Sequence, residues 1–276
     1  MIVVSLADAR DERAFGGKAV QLGAAIRSGL PVPEGFALAA DFVEAVAHGD
    51  RAARATLDEV TDRLAGPLAV RSSAIGEDSA AASFAGQHVT LLNVCGVNAA
   101  TEAVEAVWRS AWSESALAYR RRVGVEGPVR VGVVVQRFLA ADTAGVLFTR
   151  NPVTGVDELV IEASWGLGES VVQGLVAPDF YRITRTGEVI ERRPGAKKVA
   201  VLRLPDGGTG TEPVEPELVE RLCLADTHLR ALSQVALRCD EVFGPGPHDI
   251  EWAFDAGMPY LLQRRPIVVT KKQLPR

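Results

Sequence analysis

Residues 248–269, which close the chain, read HDIEWAFDAGMPYLLQRRPIVV, and this stretch decides the fold of the C-terminal half. Polar and apolar residues alternate on both sides of Ala256-Gly257-Met258. Alternation with a period of two is typical of a β-strand that has one buried face. The stretch therefore predicts a β-hairpin with a three-residue loop.

One face of this hairpin carries side chains suited to a magnesium-phosphate site. Asp249 and Glu251 share a face of the first strand, and Gln263 and Arg265 share a face of the second. A three-residue loop sets Glu251 opposite Gln263 and Asp249 opposite Arg265. Magnesium takes oxygen ligands from one or two side chains and the rest from phosphates and water, and an arginine can balance charge on a moving phosphoryl group. The alternative is a solvated face with one cross-strand ion pair.

Upstream of the hairpin, the chain mixes helical and strand-like patterns. Spaced apolar residues predict helices over 17–29 and 216–243, and two short helices within 41–64 on either side of His48-Gly49-Asp50. Runs rich in β-branched residues predict strands over 68–74, 129–139, 144–150 and 158–164, with shorter strands near 171–176, 180–185 and 197–204. This order predicts an α+β fold in two lobes, the N-terminal lobe covering residues 1–136 and the C-terminal lobe 137–276.

Composition excludes several classes of protein. The 276 residues are 47% hydrophobic and 24% charged, which is typical of a globular protein. Thirty Lys and Arg against 35 Asp and Glu give a net charge of -5, which argues against general nucleic-acid binding. No apolar run is long enough to span a membrane, and an odd number of cysteines without CxxC spacing argues against disulfides or zinc. The composition predicts a cytoplasmic protein.

Two N-terminal segments could bind an anion. Lys18 follows Gly16-Gly17 at a predicted helix start, where free N–H groups favour negative charge, although the spacing is not that of a P-loop. Arg71 leaves an apolar strand just before a polar loop that contains Gly86, and such a loop lets the backbone approach a polyphosphate. The alternatives are a plain turn with a surface lysine and a polar loop with an arginine ion pair.

Two further observations concern the middle of the chain and its histidines. A buried strand ends abruptly at Gln136 and Arg137, which marks either a sheet edge or the hinge of a nucleotide cleft. No histidine pair has the spacing of a metal site, and no G-x-S-x-G motif is present, so a hydrolytic triad is not supported. Of the histidines, His88 and His248 are expected near the predicted site.

Five segments together are similar to a known family. In chain order they are GGKAVQLGAAIRSGLPVPEGFAL, VRSSAIGEDSAAASFAGQHVTLLNV, GVLFTRNPVTG, GLGESVVQGLVAPDFY and DIEWAFDAGMPYLLQRRPIV. They resemble the N-terminal ATP-binding module of phosphoenolpyruvate synthase, pyruvate phosphate dikinase and rifampin phosphotransferase. The likeness runs from about residue 14 to residue 269. It implies an ATP-grasp-like fold in which two lobes clasp ATP.

The resemblance implies roles for ten residues. Phosphate binding falls to Lys18, Arg71, Gly86 and Thr90. Contact with adenine falls to Gln136 and Arg137. Magnesium binding falls to Asp249, Glu251 and Gln263. Arg265 assists transfer and, with Lys18 and Arg71, makes up the catalytic set.

The resemblance also implies an activity and a partner. In the family, Mg-ATP phosphorylates a histidine on a separate domain, AMP is formed, and the phosphate passes to a small molecule. None of the four histidines here has the family's T-S-H-A type context, and the chain ends soon after the Q-x-R-P strand. We therefore expect an ATP-binding phosphotransferase module that acts on a histidine domain or protein in trans. The initiating Met and the final strand favour a natural subunit over a fragment.

Three alternatives stay open at this point. The chain could be an ATP-dependent kinase or ligase that acts directly on a small molecule. It could be a non-catalytic ATP-binding partner of another protein. It could also be an α+β binding protein that takes no nucleotide.

Overall fold

A computed structural model of the chain describes residues 2–74, 89–122 and 127–267. The helices are α1 (Glu12–Phe15), α2 (Gly17–Arg27), α3 (Ala40–Ala47), α4 (Arg51–Leu64), α5 (Val97–Ser110), α6 (Glu114–Arg122), α7 (Glu169–Val172) and α8 (Asp226–Phe243). The strands are β1 (Val3–Ser5), β2 (Gly35–Leu38), β3 (Leu68–Ala74), β4 (Thr90–Val94), β5 (Val131–Arg137), β6 (Thr143–Phe148), β7 (Leu159–Trp165), β8 (Asp179–Ile183), β9 (Val189–Arg193), β10 (Val199–Arg203), β11 (Thr209–Pro213), β12 (His248–Asp255) and β13 (Met258–Pro266). Helices and antiparallel sheets together confirm the predicted α+β class.

The N-terminal sheet has the order β1-β2-β5-β3-β4, with all neighbours antiparallel. Both of its faces are covered. Phe36 and Val133 point into a core shared with α3, α4 and α5, whereas Ala37 and Val134 point into a second core shared with α1 and α2. Because successive residues of a strand face opposite sides, a sheet covered on both faces has continuous apolar strands, and β5 is buried from Val131 to Gln136.

The C-terminal sheet has the order β13-β12-β6-β7-β8-β9, again antiparallel. Helix α8 covers one face, where Leu232 and Cys239 pack with Ile161, Tyr181 and Trp252. The other face is turned toward the N-terminal sheet. Residues 138–142 join the two sheets. No helix within the described ranges is long and apolar enough to cross a membrane.

The predicted helix over 216–243 is wrong in its first part, because α8 covers only the later residues. Side chains from another strand accept hydrogen bonds from backbone N–H groups in this first part. The carboxylate of Asp179 accepts a hydrogen bond from the N–H of Cys223 at 2.7 Å, and the hydroxyl of Tyr181 accepts one from the N–H of Leu224 at 3.1 Å. Apolar spacing alone does not show that these N–H groups are taken by buried side chains of another strand.

The predicted strand near 171–176 is also wrong, since its first residues belong to α7. The N–H groups of Val172 and Gln173 donate to the carbonyls of Gly168 and Glu169, each at 3.0 Å, which closes a helical turn. Gly166, just upstream, has a φ of +74° and lies so close to β10 that an added Cβ would be 2.5 Å from a carbonyl oxygen. The chain therefore turns tightly over the edge of β10 instead of extending.

The terminal hairpin shows the predicted pairs but not the predicted loop. The turn contains two residues, Ala256 and Gly257, both with positive φ, as in the type I′ turns that suit hairpins. A β-bulge then inserts Leu262 between the pairs on either side of it, and this restores the register. Glu251 lies opposite Gln263, and Asp249 lies opposite Arg265. A two-residue turn plus one bulged residue gives the same offset as a three-residue loop.

The ribbon formed by β10 and β11 bridges the two sheets through Asn93 of β4. The side-chain amide of Asn93 donates to the carbonyl oxygens of Leu204 at 2.7 Å and Gly208 at 2.8 Å. In return the N–H of Gly208 donates to the Asn93 carbonyl at 2.9 Å. Asn93 is buried and has a φ of +55°, a conformation that asparagine tolerates better than most residues. We call these three hydrogen bonds the Asn93 latch.

Candidate active site

A cavity of about 630 Å³ lies between the two sheets and receives side chains from both lobes. Eight of the ten residues that the resemblance assigned line it, namely Lys18, Arg71, Thr90, Gln136, Arg137, Glu251, Gln263 and Arg265. Asp249 does not line the cavity, and Gly86 falls outside the described residues. Segments that are far apart in the chain thus meet at one place.

The start of α2 carries Lys18 into the cavity. Gly16 caps the helix with a φ of +81°, and a Cβ on it would lie 1.9 Å from the carbonyl oxygen of Ser73. The N–H of Ala19 donates to the Ser73 hydroxyl at 3.0 Å, which satisfies one of the helix's first N–H groups. Lys18 is almost fully buried. The glycine therefore allows α2 to dock against the end of β3, which fixes the lysine beside the strand that carries Arg71.

Arg71 connects the N-terminal lobe to the terminal hairpin. Its guanidinium donates to the carbonyl oxygen of Leu262, the bulged residue, and to Oε1 of Gln263 at 3.1 Å. Oε2 of Glu251 lies 3.9 Å from the same guanidinium. At the bulge, the carbonyl of Leu262 lies outside the strand pairing and accepts a hydrogen bond from Arg71. A nearly buried cation is thus held next to the carboxylate and the amide of the hairpin.

The hairpin residues fit a magnesium ion that is shared with phosphates. Glu251 and Gln263 face each other, and a carboxylate and an amide oxygen are both hard ligands. A quarter of the Glu251 side chain remains exposed, so its carboxylate can be reached from the cavity. The described parts of the chain hold no cluster of three or more His, Cys, Asp or Glu that could hold a metal. One carboxylate and one amide oxygen are few ligands, and Mg²⁺ could be held by such a pair only with phosphate oxygens and water completing its shell.

Backbone contacts limit how the hinge could recognise a base. The carboxamide of Gln136 donates to the carbonyl oxygen of Pro33 at 2.9 Å. The N–H groups of Arg137 and Phe138 donate to the carbonyls of Glu34 and Pro67, each at 2.9 Å. These two N–H groups are therefore taken by the protein. Contact of Gln136 and Arg137 with adenine stays a prediction, and it would use side-chain atoms or carbonyls.

Sequence reasoning missed the rest of the cavity wall. Much of it is apolar, formed by Ala69, Leu92, Phe138, Leu139, Ala141, Leu167 and Leu262. Each of these residues belongs to a segment that reads as ordinary core, so no local signal separates them. Glu169 and Gln173 also line the cavity and were missed. A sequence pattern could have indicated these two residues, because both lie in the segment GLGESVVQG, where polar residues occur between glycines.

The expectation that His248 lies near the site is wrong. Its side chain is buried away from the cavity, where Nε2 lies 3.1 Å from the Gly244 carbonyl oxygen and Nδ1 accepts a hydrogen bond from Arg264. Burial and the neighbouring Arg264 lower the pKa of His248 to about 4. A histidine that stays neutral at pH 7 in this setting supports the packing of β12. His88 falls outside the described residues.

Comparisons with known proteins identify a matching family model and several relatives. The model of the family described as pyruvate phosphate dikinase, AMP/ATP-binding domain, matches residues 50–276. The chain is 39% identical over 218 residues to a probable phosphoenolpyruvate synthase of Methanocaldococcus jannaschii, which covers 78% of the chain and 18% of that protein. It is 40% identical over 217 residues to the phosphoenolpyruvate synthase of Pyrococcus furiosus, covering 75% of the chain and 26% of that protein.

A rifampicin phosphotransferase of a Streptomyces species is 36% identical over 303 aligned positions, covering 94% of the chain and 35% of that protein. The chain thus spans only 18%, 26% and 35% of the lengths of these three relatives. Among solved structures, a D-alanine–D-alanine ligase of Bacillus anthracis complexed with ATP is 11% identical at a TM-score of 0.42, covering 95% of the chain and 57% of that protein. That last likeness is too distant to bear on function.

Proposed function

The chain belongs to the family of pyruvate phosphate dikinase AMP/ATP-binding domains, and on that basis we propose that it binds Mg-ATP in the cavity between its lobes and starts a phosphoryl transfer. The acceptor is a histidine on a separate domain or protein. ATP loses two phosphoryl groups and leaves as AMP: one group stays on the histidine, and the other is transferred to water and released as orthophosphate. The phosphohistidine then passes its phosphate to a small molecule.

One observation carries this proposal. Lys18, Arg71 and the hairpin residues Glu251, Gln263 and Arg265 come from three distant segments and line one cavity. Three positively charged side chains can pair with the oxygens of a triphosphate, and the neighbouring carboxylate and amide can bind the metal ion that accompanies it. Lysine and arginine are rarely buried, and here one of each is buried in the wall of a largely apolar cavity.

In the proposed reaction the protein mainly positions charge. Lys18 and Arg71 bind and orient phosphate oxygens, and Glu251 and Gln263 are the residues that would hold the metal. Mg²⁺, when bound, neutralises charge on the polyphosphate. Arg265 stabilises the negative charge that develops on the transferred group. Because the lining of the cavity is largely apolar, these charge interactions are stronger than they would be in water.

The first experiment measures nucleotide binding. ATP at about 100 times its Kd, with Mg²⁺, should add about 2.7 kcal/mol to the free energy of unfolding, which a thermal melt detects. Arg265→Ala should keep this shift, whereas Glu251→Gln should lose most of its magnesium-dependent part. Glu188→Gln, an exposed carboxylate on another turn, serves as the control. A melt that Mg-ATP does not move would refute the proposal and favour a protein without nucleotide.

The second experiment identifies products. The chain is incubated with Mg-ATP, alone and with candidate histidine-domain proteins, and nucleotides are separated by chromatography. AMP formed only with a partner supports the proposal, and Arg265→Ala should abolish it. ADP formed with a small molecule alone would favour a direct kinase or ligase. Binding without turnover across the tested partners would favour a non-catalytic role.

A further inference from the structure

The β-bulge at Leu262 breaks the alternation of the last strand. In β13, Leu261 packs in the core under α8, and the guanidinium of Arg264 lies 4.8 Å from the ring centre of Phe243 on that same side. Leu262 and Gln263 both line the cavity between the lobes, although they are consecutive. Neighbouring residues of a regular strand face opposite sides, so one residue has been inserted here. Because leucine has no polar side chain, any hydrogen bond of the inserted residue must come from its backbone.

The backbone of the bulge makes a contact across the two lobes. The carbonyl of Leu262 accepts a hydrogen bond from Nη1 of Arg71, and Oε1 of Gln263 accepts one from Nη2 at 3.1 Å. A guanidinium is planar and its N–H groups have fixed directions, so bonds to two consecutive residues set both its position and its plane. Arg71 is only 7% exposed, so water has little access to these bonds, which strengthens them.

The guanidinium is held beside the groups that would bind the metal. Oε2 of Glu251 lies 3.9 Å from it, and Glu251 is paired with Gln263. In phosphoryl transfer the metal ion bridges the β- and γ-phosphates, so phosphates that share an ion with this pair would lie next to Arg71. A hydrogen bond from a guanidinium to a phosphate oxygen depends on direction. The plane of Arg71 therefore matters as well as its charge.

From these contacts we propose that Leu262 is a positioning residue, whose main-chain carbonyl orients Arg71 toward the β- and γ-phosphates of the nucleotide. The inference rests on the proposed function, because it requires Mg-ATP in the cavity. Leu262 acts through Arg71 and makes no phosphate contact of its own. Without the bulge, Arg71 keeps its charge but loses one of the bonds that set its plane, and it binds the polyphosphate more weakly.

Deleting Leu262 removes the bulge and keeps the rest of the hairpin. The turn already sets Trp252 opposite Leu261. With Leu262 removed, Gln263 follows directly in the ladder and still faces Glu251. The metal-binding pair and the faces of β13 are therefore preserved, whereas the carbonyl that Arg71 uses is gone. Leu262→Ala is the matched control, because it shortens the side chain in the cavity wall but keeps the bulge and its carbonyl.

The test measures the affinities of ATP and AMP for the full chain by calorimetry in the presence of Mg²⁺. AMP lacks the β- and γ-phosphates, so its affinity reports on the rest of the cavity. We expect the deletion to weaken ATP binding about tenfold, the factor for losing one hydrogen bond to a charged group, and to change AMP binding by less than about twofold. Leu262→Ala should keep the wild-type ratio of the two affinities. A thermal melt of each variant without nucleotide shows that it is folded.

A double-mutant cycle shows whether Leu262 acts through Arg71. In Arg71→Gln, the further deletion of Leu262 should weaken ATP binding by less than about twofold, because the side chain that the bulge positions is already gone. Two factors that multiply would show that the bulge acts by another route, and the inference would be wrong. Arg71→Lys keeps the charge but not the planar fork, so it should also lose about tenfold in ATP affinity. Wild-type affinity in Arg71→Lys would contradict the inference even if the deletion variant misfolds.

The outcomes separate this inference from the proposed function. If the wild-type chain does not bind Mg-ATP, the proposed function is wrong and the inference falls with it. If Mg-ATP binds but the deletion leaves the ratio of ATP affinity to AMP affinity unchanged, only the inference is wrong. Equal weakening of both nucleotides gives that same ratio, because the cavity as a whole has then changed.

Discussion

Replacing Asn93 by glycine should release the β10–β11 ribbon from the N-terminal sheet. The substitution removes both hydrogen bonds that the side-chain amide donates to the ribbon, at 2.7 and 2.8 Å. Glycine accepts the positive φ of this position without strain, so the backbone can stay in place. The change therefore tests the side-chain part of the Asn93 latch, together with the weak hydrogen bond that Asn93 Oδ1 accepts from Cys95 Sγ at 3.7 Å.

The expected loss of stability depends on the hydrogen bonds that the carbonyls of Leu204 and Gly208 retain. The Gly208 carbonyl still accepts from the N–H of Leu204 at 3.0 Å, and the Leu204 carbonyl still accepts from the N–H of Gly207 at 3.4 Å. Neither carbonyl is left without a partner, so the loss is the net value of two ordinary hydrogen bonds. At about 1 kcal/mol each, the closed ribbon should lose about 2 kcal/mol.

Hydrogen exchange at the Gly208 amide measures this loss directly, because that N–H is bonded to the Asn93 carbonyl across the latch. A loss of about 2 kcal/mol should lower its protection about 30-fold, at 1.36 kcal/mol per factor of ten. Ala65→Gly is the matched control, since Ala65 also has positive φ but a side chain without hydrogen-bonding groups. Protection in Asn93→Gly within about threefold of the control would refute this account of the latch.

Three further substitutions test other parts of the structure. Lys197→Met strands the fully buried carboxylate of Asp179, 2.5 Å from the lysine in the native protein, and should cost about 3 kcal/mol in urea unfolding. The hydrogen bonds from Arg182 lower the pKa of the Glu158 carboxyl in the folded protein. The ionised carboxylate therefore stabilises the fold fully above the pKa of an unfolded glutamate, about 4.3, and this stabilisation is lost as the pH falls through the lower pKa of the folded state. Glu158→Gln should therefore flatten the fall of the urea midpoint below about pH 5. Gly16→Ala places a Cβ 1.9 Å from a β3 carbonyl oxygen and should weaken ATP binding at least about tenfold, as α2 shifts with its lysine.

Each of these three substitutions has a matched control elsewhere in the chain. Lys198→Met changes the exposed neighbouring lysine and should leave the urea midpoint near wild type. Glu191→Gln removes the more exposed partner of the same arginine and should change the pH profile less. Gly155→Ala adds a Cβ at positive φ with no atom within 4 Å, which isolates backbone strain from the clash. If a test variant matched its control, the contact assigned to it would not be the cause.

Local pattern determined the terminal hairpin and the faces of its strands. Alternation with a period of two puts Glu251 and Gln263 on one side whatever they pack against, so their pairing could be predicted before any contact was known. The bulge could not be predicted. A three-residue loop and a two-residue turn with an inserted Leu262 shift the register by the same amount, and only the second exposes the carbonyl that Arg71 takes.

The tertiary structure alone decided what meets across the two lobes. Arg71 and Leu262 are 191 residues apart, and Asn93 and Leu204 are 111 apart. Likewise, only the tertiary structure shows that Glu169 lines the cavity beside residues from distant segments. The direction in which a side chain points along a strand is a local property, and the sequence encodes it directly. Which distant surface it then faces depends on how two sheets pack, and that is settled by the burial of many residues at once.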